Sequence, residues 1–140
     1  MVAIRLAQTS DLPAVSALDA RLTGTAKPDY WQSMLNVPER HFLVAESEKG
    51  ELAGFIAGEV RAWEFGQPAA GWVFAIQIDP KLRLKGVGTR LFEALVARFK
   101  DKGVTRVRTL VDRRDHLILS FFRAQGMVAG PSLQLDMDVA

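Results

Sequence analysis

The chain has 140 residues, no cysteine, a formal net charge of +2, and 49% hydrophobic against 24% charged residues. That composition predicts one folded domain over residues 1–140 with a core of its own, and it excludes a disulfide scaffold, a thiolate nucleophile and any cysteine-ligated metal site. The small net charge hides an uneven distribution: residues 81–114 carry eleven Lys/Arg against three Asp/Glu, and the remainder carries seven against thirteen, which suits a polyanion at one place and a cation at another.

Residues 2–6 are short and β-prone. Ser10 and Asp11 then read as an N-cap and first turn, followed by Leu12, Val15, Leu18 and Leu22 at helical spacing. Residues 23–28 break that helix, and Asp29 caps a short second one carrying Tyr30, Trp31, Met34 and Leu35. Residues 42–46 and 52–62 read as two strands around Lys49-Gly50. Residues 72–78 are almost all apolar and end at Asp79-Pro80, the pattern of a central strand buried on both faces. Residues 89–100 place Leu91, Leu95, Val96 and Phe99 on one helical side, and residues 106–111 read as a strand. Residues 117–125 form a helix between Asp115 and Gly126. Leu133, Leu135, Met137 and Val139 alternate with Gln134, Asp136 and Asp138, the pattern of a half-buried last strand. The order β-α-α-β-β-β-α-β-α-β is that of an α/β domain. No apolar run approaches a membrane span and the first residues lack a secretory pattern, so a cytoplasmic protein without a membrane partner is expected.

The informative stretch is the strand, basic turn, glycine pair and helix of residues 74–92. Gly86 and Gly88 allow close backbone approach, the free N–H groups of a helix start bind phosphate, and Lys81, Arg83, Lys85 and Arg90 add positive charge there. The spacing is neither the dinucleotide fingerprint nor a Walker loop. Arg83-x-x-Gly86-x-Gly88 after Ile78-Asp79-Pro80 resembles the acetyl-CoA loop of the GNAT acetyltransferases. The segment from Asp115 through Phe121-Phe122 to Gly126-Met127 resembles the family's later signature, and the element order matches along most of the chain.

The resemblance implies a splayed, mixed central sheet flanked by about four helices, and acetyl transfer from acetyl-CoA to a primary amine of a small molecule or peptide. It implies that Gln77 and Ile78 pair with the pantetheine arm, that Leu84, Lys85, Gly86, Val87, Gly88 and Thr89 offer backbone N–H groups to the pyrophosphate, that Arg83 adds charge, and that Asp115 and Phe122 belong to the cofactor site. The family's usual oxyanion donor would be a backbone N–H near Ile78. Its usual tyrosine, which protonates the departing thiolate, falls on Phe122, and phenylalanine has no proton to give. A degenerate or regulatory acyl-CoA-binding module is therefore the alternative to an enzyme. Glu59 and Asp112 are the carboxylates placed to act as base, and Tyr30, Trp31, Glu64 and Phe65 are expected at the acceptor. His41 and His116 lack partners at ligand spacing, so no metal is expected. The basic stretch lacks an interleaved aromatic array, which argues against a nucleic-acid partner. Family members often dimerise, and a homodimer is expected here.

Overall fold

The computed structural model describes residues 2–140, and for residues 83–85 the backbone alone. It forms two compact units, Met1–Leu110 and Val111–Ala140, each described by itself. The first unit is built on a five-stranded sheet in the order β1 (Ala3–Leu6), β2 (Arg40–Glu46), β3 (Leu52–Arg61), β4 (Ala70–Ile78) and β5 (Val107–Thr109). The pairs β1–β2, β2–β3 and β3–β4 are antiparallel and β4–β5 is parallel. A parallel neighbour needs a crossover, and α3 (Val87–Asp101) provides it.

Side chains alternate across a strand, so β2 and β3 cover both faces with apolar residues. On one face Phe42, Val44, Phe55 and Ala57 pack with Val15 and Leu18 of α1 (Leu12–Thr23), Trp31 of α2 (Pro28–Ser33) and Met34. The Trp31 ring lies edge-on to Phe55 at 4.9 Å between centroids. The opposite face receives α3 through Leu91, Leu95 and Phe99, all buried. Phe99 fits because Gly58 and Gly71 lie beneath it. A Cβ at Gly71 would clash with the Cδ2, Cε2 and Cγ atoms of the Phe99 ring, and one at Gly58 would strike the Trp72 carbonyl oxygen and come within 3.1 Å of Phe99.

His41 shares the α3 face and is buried. Arg98 Nε donates to its Nδ1 at 3.1 Å, and its ring is edge-on to Phe99 at 5.5 Å. Burial pushes its pKa below 6.5, and the charges of Arg98 and Lys102 act in the same direction.

In the second unit α4 (His116–Ala124) is capped by Asp115, whose carboxylate accepts from the Ile118 N–H at 3.1 Å. Phe122 is buried and lies edge-on to Phe121.

Three sequence readings are corrected. The first helix is entered through a 3-10 turn at Thr9–Asp11, and the Asp11 carboxylate is held by the Gln8 N–H and by Arg5 rather than capping α1. The fifth strand is confined to three residues because its pairing with β4 stops there. Residues 133–139 form no strand. Leu133, Leu135, Met137 and Val139 are each at least 80% exposed. Alternation encodes a face to bury, but a strand forms only where a neighbouring strand supplies the hydrogen bonds.

Gly71→Ala should cost about 1–3 kcal/mol by overpacking and Phe99→Ala about 3–5 kcal/mol by leaving a cavity, read from urea unfolding midpoints at constant m-value. Above about pH 6.5 neither folded nor unfolded His41 holds the extra proton; below it the unfolded chain takes that proton first, so stability falls with pH. Thermal midpoints between pH 7 and 5.5 should therefore drop less steeply in His41→Gln than in the parent, and equal slopes would contradict this origin.

Candidate functional site

The register of β4 organises the site. Gly71, Trp72 and Val73 face Val107, Arg108 and Thr109 of β5, and the pairing ends at that point while β4 continues to Ile78. The Thr109 hydroxyl closes the join by donating to the Val73 carbonyl oxygen at 2.9 Å. The next residue, Phe74, is a bulge: Ala57 faces Ala75 and Gly58 faces Val73, so Phe74 has no partner on β3. A bulge bends its strand and re-aims the adjoining side chains. Residues 75–78, including Gln77 and Ile78, stay paired to β3 while the other edge of residues 74–78 lies beyond the last β5 partner. That edge is backbone able to receive an extended ligand as an additional strand.

Beyond Ile78 the chain turns through Asp79, whose carboxylate accepts from the Lys81 N–H at 3.0 Å, and through the 3-10 segment Pro80–Lys85. Gly86 follows with φ 72° and ψ 15°, left-handed backbone that favours glycine, and α3 begins at Val87. The Gly86 carbonyl accepts from Arg90 N at 3.1 Å, and a helix start at this point presents backbone N–H groups and a positive dipole end. The side chains of Arg83, Leu84 and Lys85 lie outside the described residues. Arg90, expected among the loop charges, donates from Nη1 to the Val2 carbonyl oxygen at 2.6 Å.

Where β4 and β5 part, a cavity of about 500 Å³ opens on the α1/α2 face. Its floor is a row across three strands, since Arg40 faces Glu59 and Glu59 faces Trp72. Arg61 stands two residues further on the same face, and Tyr30, Met34, Phe74 and Leu110 are among the walls. Glu59 supplies the lining's carboxylate. Arg40 Nε is 3.5 Å and Arg61 Nε 3.9 Å from its oxygens. Arg61 is gripped more closely by Glu64, at 2.6 and 2.9 Å, and its guanidinium lies 4.7 Å over the Trp72 ring. Arg40 also donates to the Ser33 carbonyl oxygen at 2.7 Å. Burial pushes the Tyr30 phenol pKa up, so it stays protonated at neutral pH.

The acceptor residues read from sequence separate here. Tyr30 is a cavity wall, whereas Trp31, one residue on and turned by about 100° around α2, is 1% exposed in the core. Glu64 meets the site through Arg61. Phe65 is fully exposed, does not line the cavity, and has left-handed backbone at φ 49°. Of the two base candidates, Glu59 lines the cavity. Asp112 is not at a strand end as expected: it lies past β5, in an exposed turn where Arg114 bonds it at 3.1 and 3.0 Å and holds its carboxyl below the usual carboxylate range. Arg40 and Arg61 went unread as site residues. Their signal is pairing register, which a single sequence does not display. Among the described residues no three His, Asp or Glu side chains converge to hold a metal, and no helix is long and apolar enough to cross a membrane.

The acetyltransferase (GNAT) family profile matches residues 7–127, running through both units. Mycothiol acetyltransferase of Propionibacterium freudenreichii subsp. shermanii is 32% identical over 84 residues, 60% of this chain and 26% of that protein, so the matched stretch is about a quarter of its length. The aminoglycoside antibiotic 6'-N-acetyltransferase of Acinetobacter baumannii superposes with a TM-score of 0.88 at 14% identity, covering 100% of both chains. An aminoglycoside N-acetyltransferase in complex with CoA superposes with a TM-score of 0.88 at 16% identity, covering 100% of this chain and 96% of that one. The mixed sheet that opens between β4 and β5 is the GNAT fold, and the chain belongs to the acetyltransferase (GNAT) family.

Proposed function

We propose that the protein transfers the acetyl group of acetyl-CoA to a primary amine of a small molecule held in the cavity beside Glu59. The carrying observation is that the cavity opens where β4 parts from β5, next to the stretch of β4 that runs on past its last β5 partner. Pantetheine pairs with residues 74–78, Gln77 and Ile78 among them. The pyrophosphate takes the N–H groups of residues 84–89, with Arg83 and Lys85 supplying charge. The acetyl group then lies near the Phe74 bulge. This moves the oxyanion donor from Ile78, as read from sequence, to a β4 amide beside Phe74, because the acceptor cavity lies at that end.

An ammonium acceptor must lose a proton before it attacks. Glu59 takes it, directly or through one water, and the amine nitrogen bonds to the thioester carbonyl carbon. As the tetrahedral intermediate collapses, the nitrogen loses its second proton to solvent, the carbon–sulfur bond breaks, and coenzyme A leaves as a thiolate that is protonated from solvent. A thiol pKa of about 8.5 makes the thiolate a fair leaving group without an acid, so Phe122 does not forbid turnover. If the protein is instead a regulatory acyl-CoA-binding module, for which Phe122 is the favouring observation, acetyl-CoA binds and no amine is consumed.

We also infer a homodimer, in which residues 133–139 add as a strand to the sheet of a second copy. Their apolar side chains are exposed although they alternate as a buried face requires. Asp136 and Asp138 on the other side match Arg106 and Arg108 at the sheet edge, where β5 pairs with β4 alone.

Isothermal titration should show micromolar acetyl-CoA binding by the parent and none by Gly86→Glu, while Gly86→Asn, which tolerates left-handed backbone, retains binding. Unchanged affinity in Gly86→Glu would remove the loop from the cofactor site. Glu59→Gln should lower kcat by about 10²–10⁴-fold at pH 7 with little change in the KM for acetyl-CoA. That deficit should shrink as pH rises toward the acceptor's own pKa, since the amine then arrives deprotonated. Light scattering should report a dimer for the parent and a monomer for Leu135→Glu/Met137→Glu; a monomeric parent refutes the strand addition.

A further inference from the structure

Resting on the reading of this cavity as the acceptor site, we propose that the acceptor is an amine bearing a carboxylate, of the amino-acid type, and that Arg40 binds that carboxylate. The charges of the floor carry this. The lining presents two guanidinium groups and one carboxylate. Arg61 already has a counter-ion in Glu64, with two bonds below 3 Å, and is fixed over Trp72. Arg40 has no carboxylate but Glu59, at 3.5 Å, the limit of a hydrogen bond. Its Nη1 is used by the Ser33 carbonyl oxygen. Among the described residues its Nη2 has no protein acceptor, and a guanidinium carries five N–H donors in a fork that fits a carboxylate.

Glu59 cannot serve both neighbours and the incoming amine. When it engages an ammonium, and still more when it takes the proton and becomes neutral, Arg40 is left as an uncompensated cation in a partly enclosed cavity. A carboxylate on the acceptor restores the balance and fixes the amine beside Glu59, because Arg40 and Glu59 are directly opposed across β2 and β3. A polycation would meet two arginines with one carboxylate to share. The cavity therefore does not suit an aminoglycoside, although aminoglycoside acetyltransferases share its fold. Tyr30, Met34 and Leu110 leave an apolar wall for the rest of the molecule.

The test is a thiol-release assay with acetyl-CoA and three acceptor sets: the proteinogenic amino acids, their α-amides, and kanamycin. Preferred amino acids should exceed their amides by about 10- to 100-fold in kcat/KM, the worth of a charge-assisted hydrogen bond, and kanamycin should be poor. Arg40→Gln should bring the acid-to-amide ratio to within about threefold, and Arg40→Lys, which keeps the charge but loses the fork, should restore part of it. Amides or kanamycin turning over as well as the acids overturns the carboxylate and leaves the acetyltransferase standing. The carboxylate is equally overturned if acetyl-CoA binds and no carboxylate-bearing amine is acetylated. Absence of acetyl-CoA binding in the titration overturns the cofactor reading itself, and with it this acceptor.

Discussion

The early end of the β4–β5 pairing shapes the rest of the molecule. A strand in the middle of a sheet normally satisfies both edges with neighbouring strands. Here β4 keeps β3 to Ile78 but loses β5 after Val73, where the Thr109 hydroxyl takes the last carbonyl. Backbone N–H and C=O groups beyond that point require other partners. The bulge at Phe74 falls at the same place, so bending, loss of pairing and the cavity mouth coincide within two residues.

Holding β4 in that position is the work of the opposite face. Phe99 sits directly on Gly58 and Gly71, and Leu95 approaches the same glycine of β3. Close contact between helix and sheet fixes the line of α3, and the start of α3 is where Gly86 turns the chain out of its loop. The two ends of the proposed cofactor path, a strand edge and a helix start, are therefore coupled through one rigid packing layer. Such coupling matters because acyl transfer depends on placing two reactants within about 3–3.5 Å.

On the other face the same strands carry ionic groups where the core ends. Phe42 and Ala57 belong to the core, whereas Arg40 and Glu59, two residues away along the same strand faces, line the cavity. Alternation alone thus delivers a charged row to a pocket wall without any special loop. The charges are only loosely paired with each other, at 3.5 and 3.9 Å, which leaves them able to change partners when a ligand enters.

Local chemistry made much of this legible from sequence. The apolar run of residues 72–78 reads as a strand, and it is one, although of these residues only Val73 is buried rather than both faces being covered. Gly86 and Gly88 before an amphipathic helix need a tight, close-approach turn, and Asp115 before residues 116–124 needs a cap; each reads from neighbours a few positions apart. Pairing register is a different kind of information. That Glu59 falls between Arg40 and Trp72, that Trp31 turns inward while Tyr30 lines a cavity, and that Asp112 falls past β5 beside Arg114 were decided by contacts between residues up to tens of positions apart. The segment 133–139 shows the boundary: its residue order determines which side chains seek burial, but only a neighbouring strand can make it a strand, because half of a β-ladder's hydrogen bonds belong to the other chain segment.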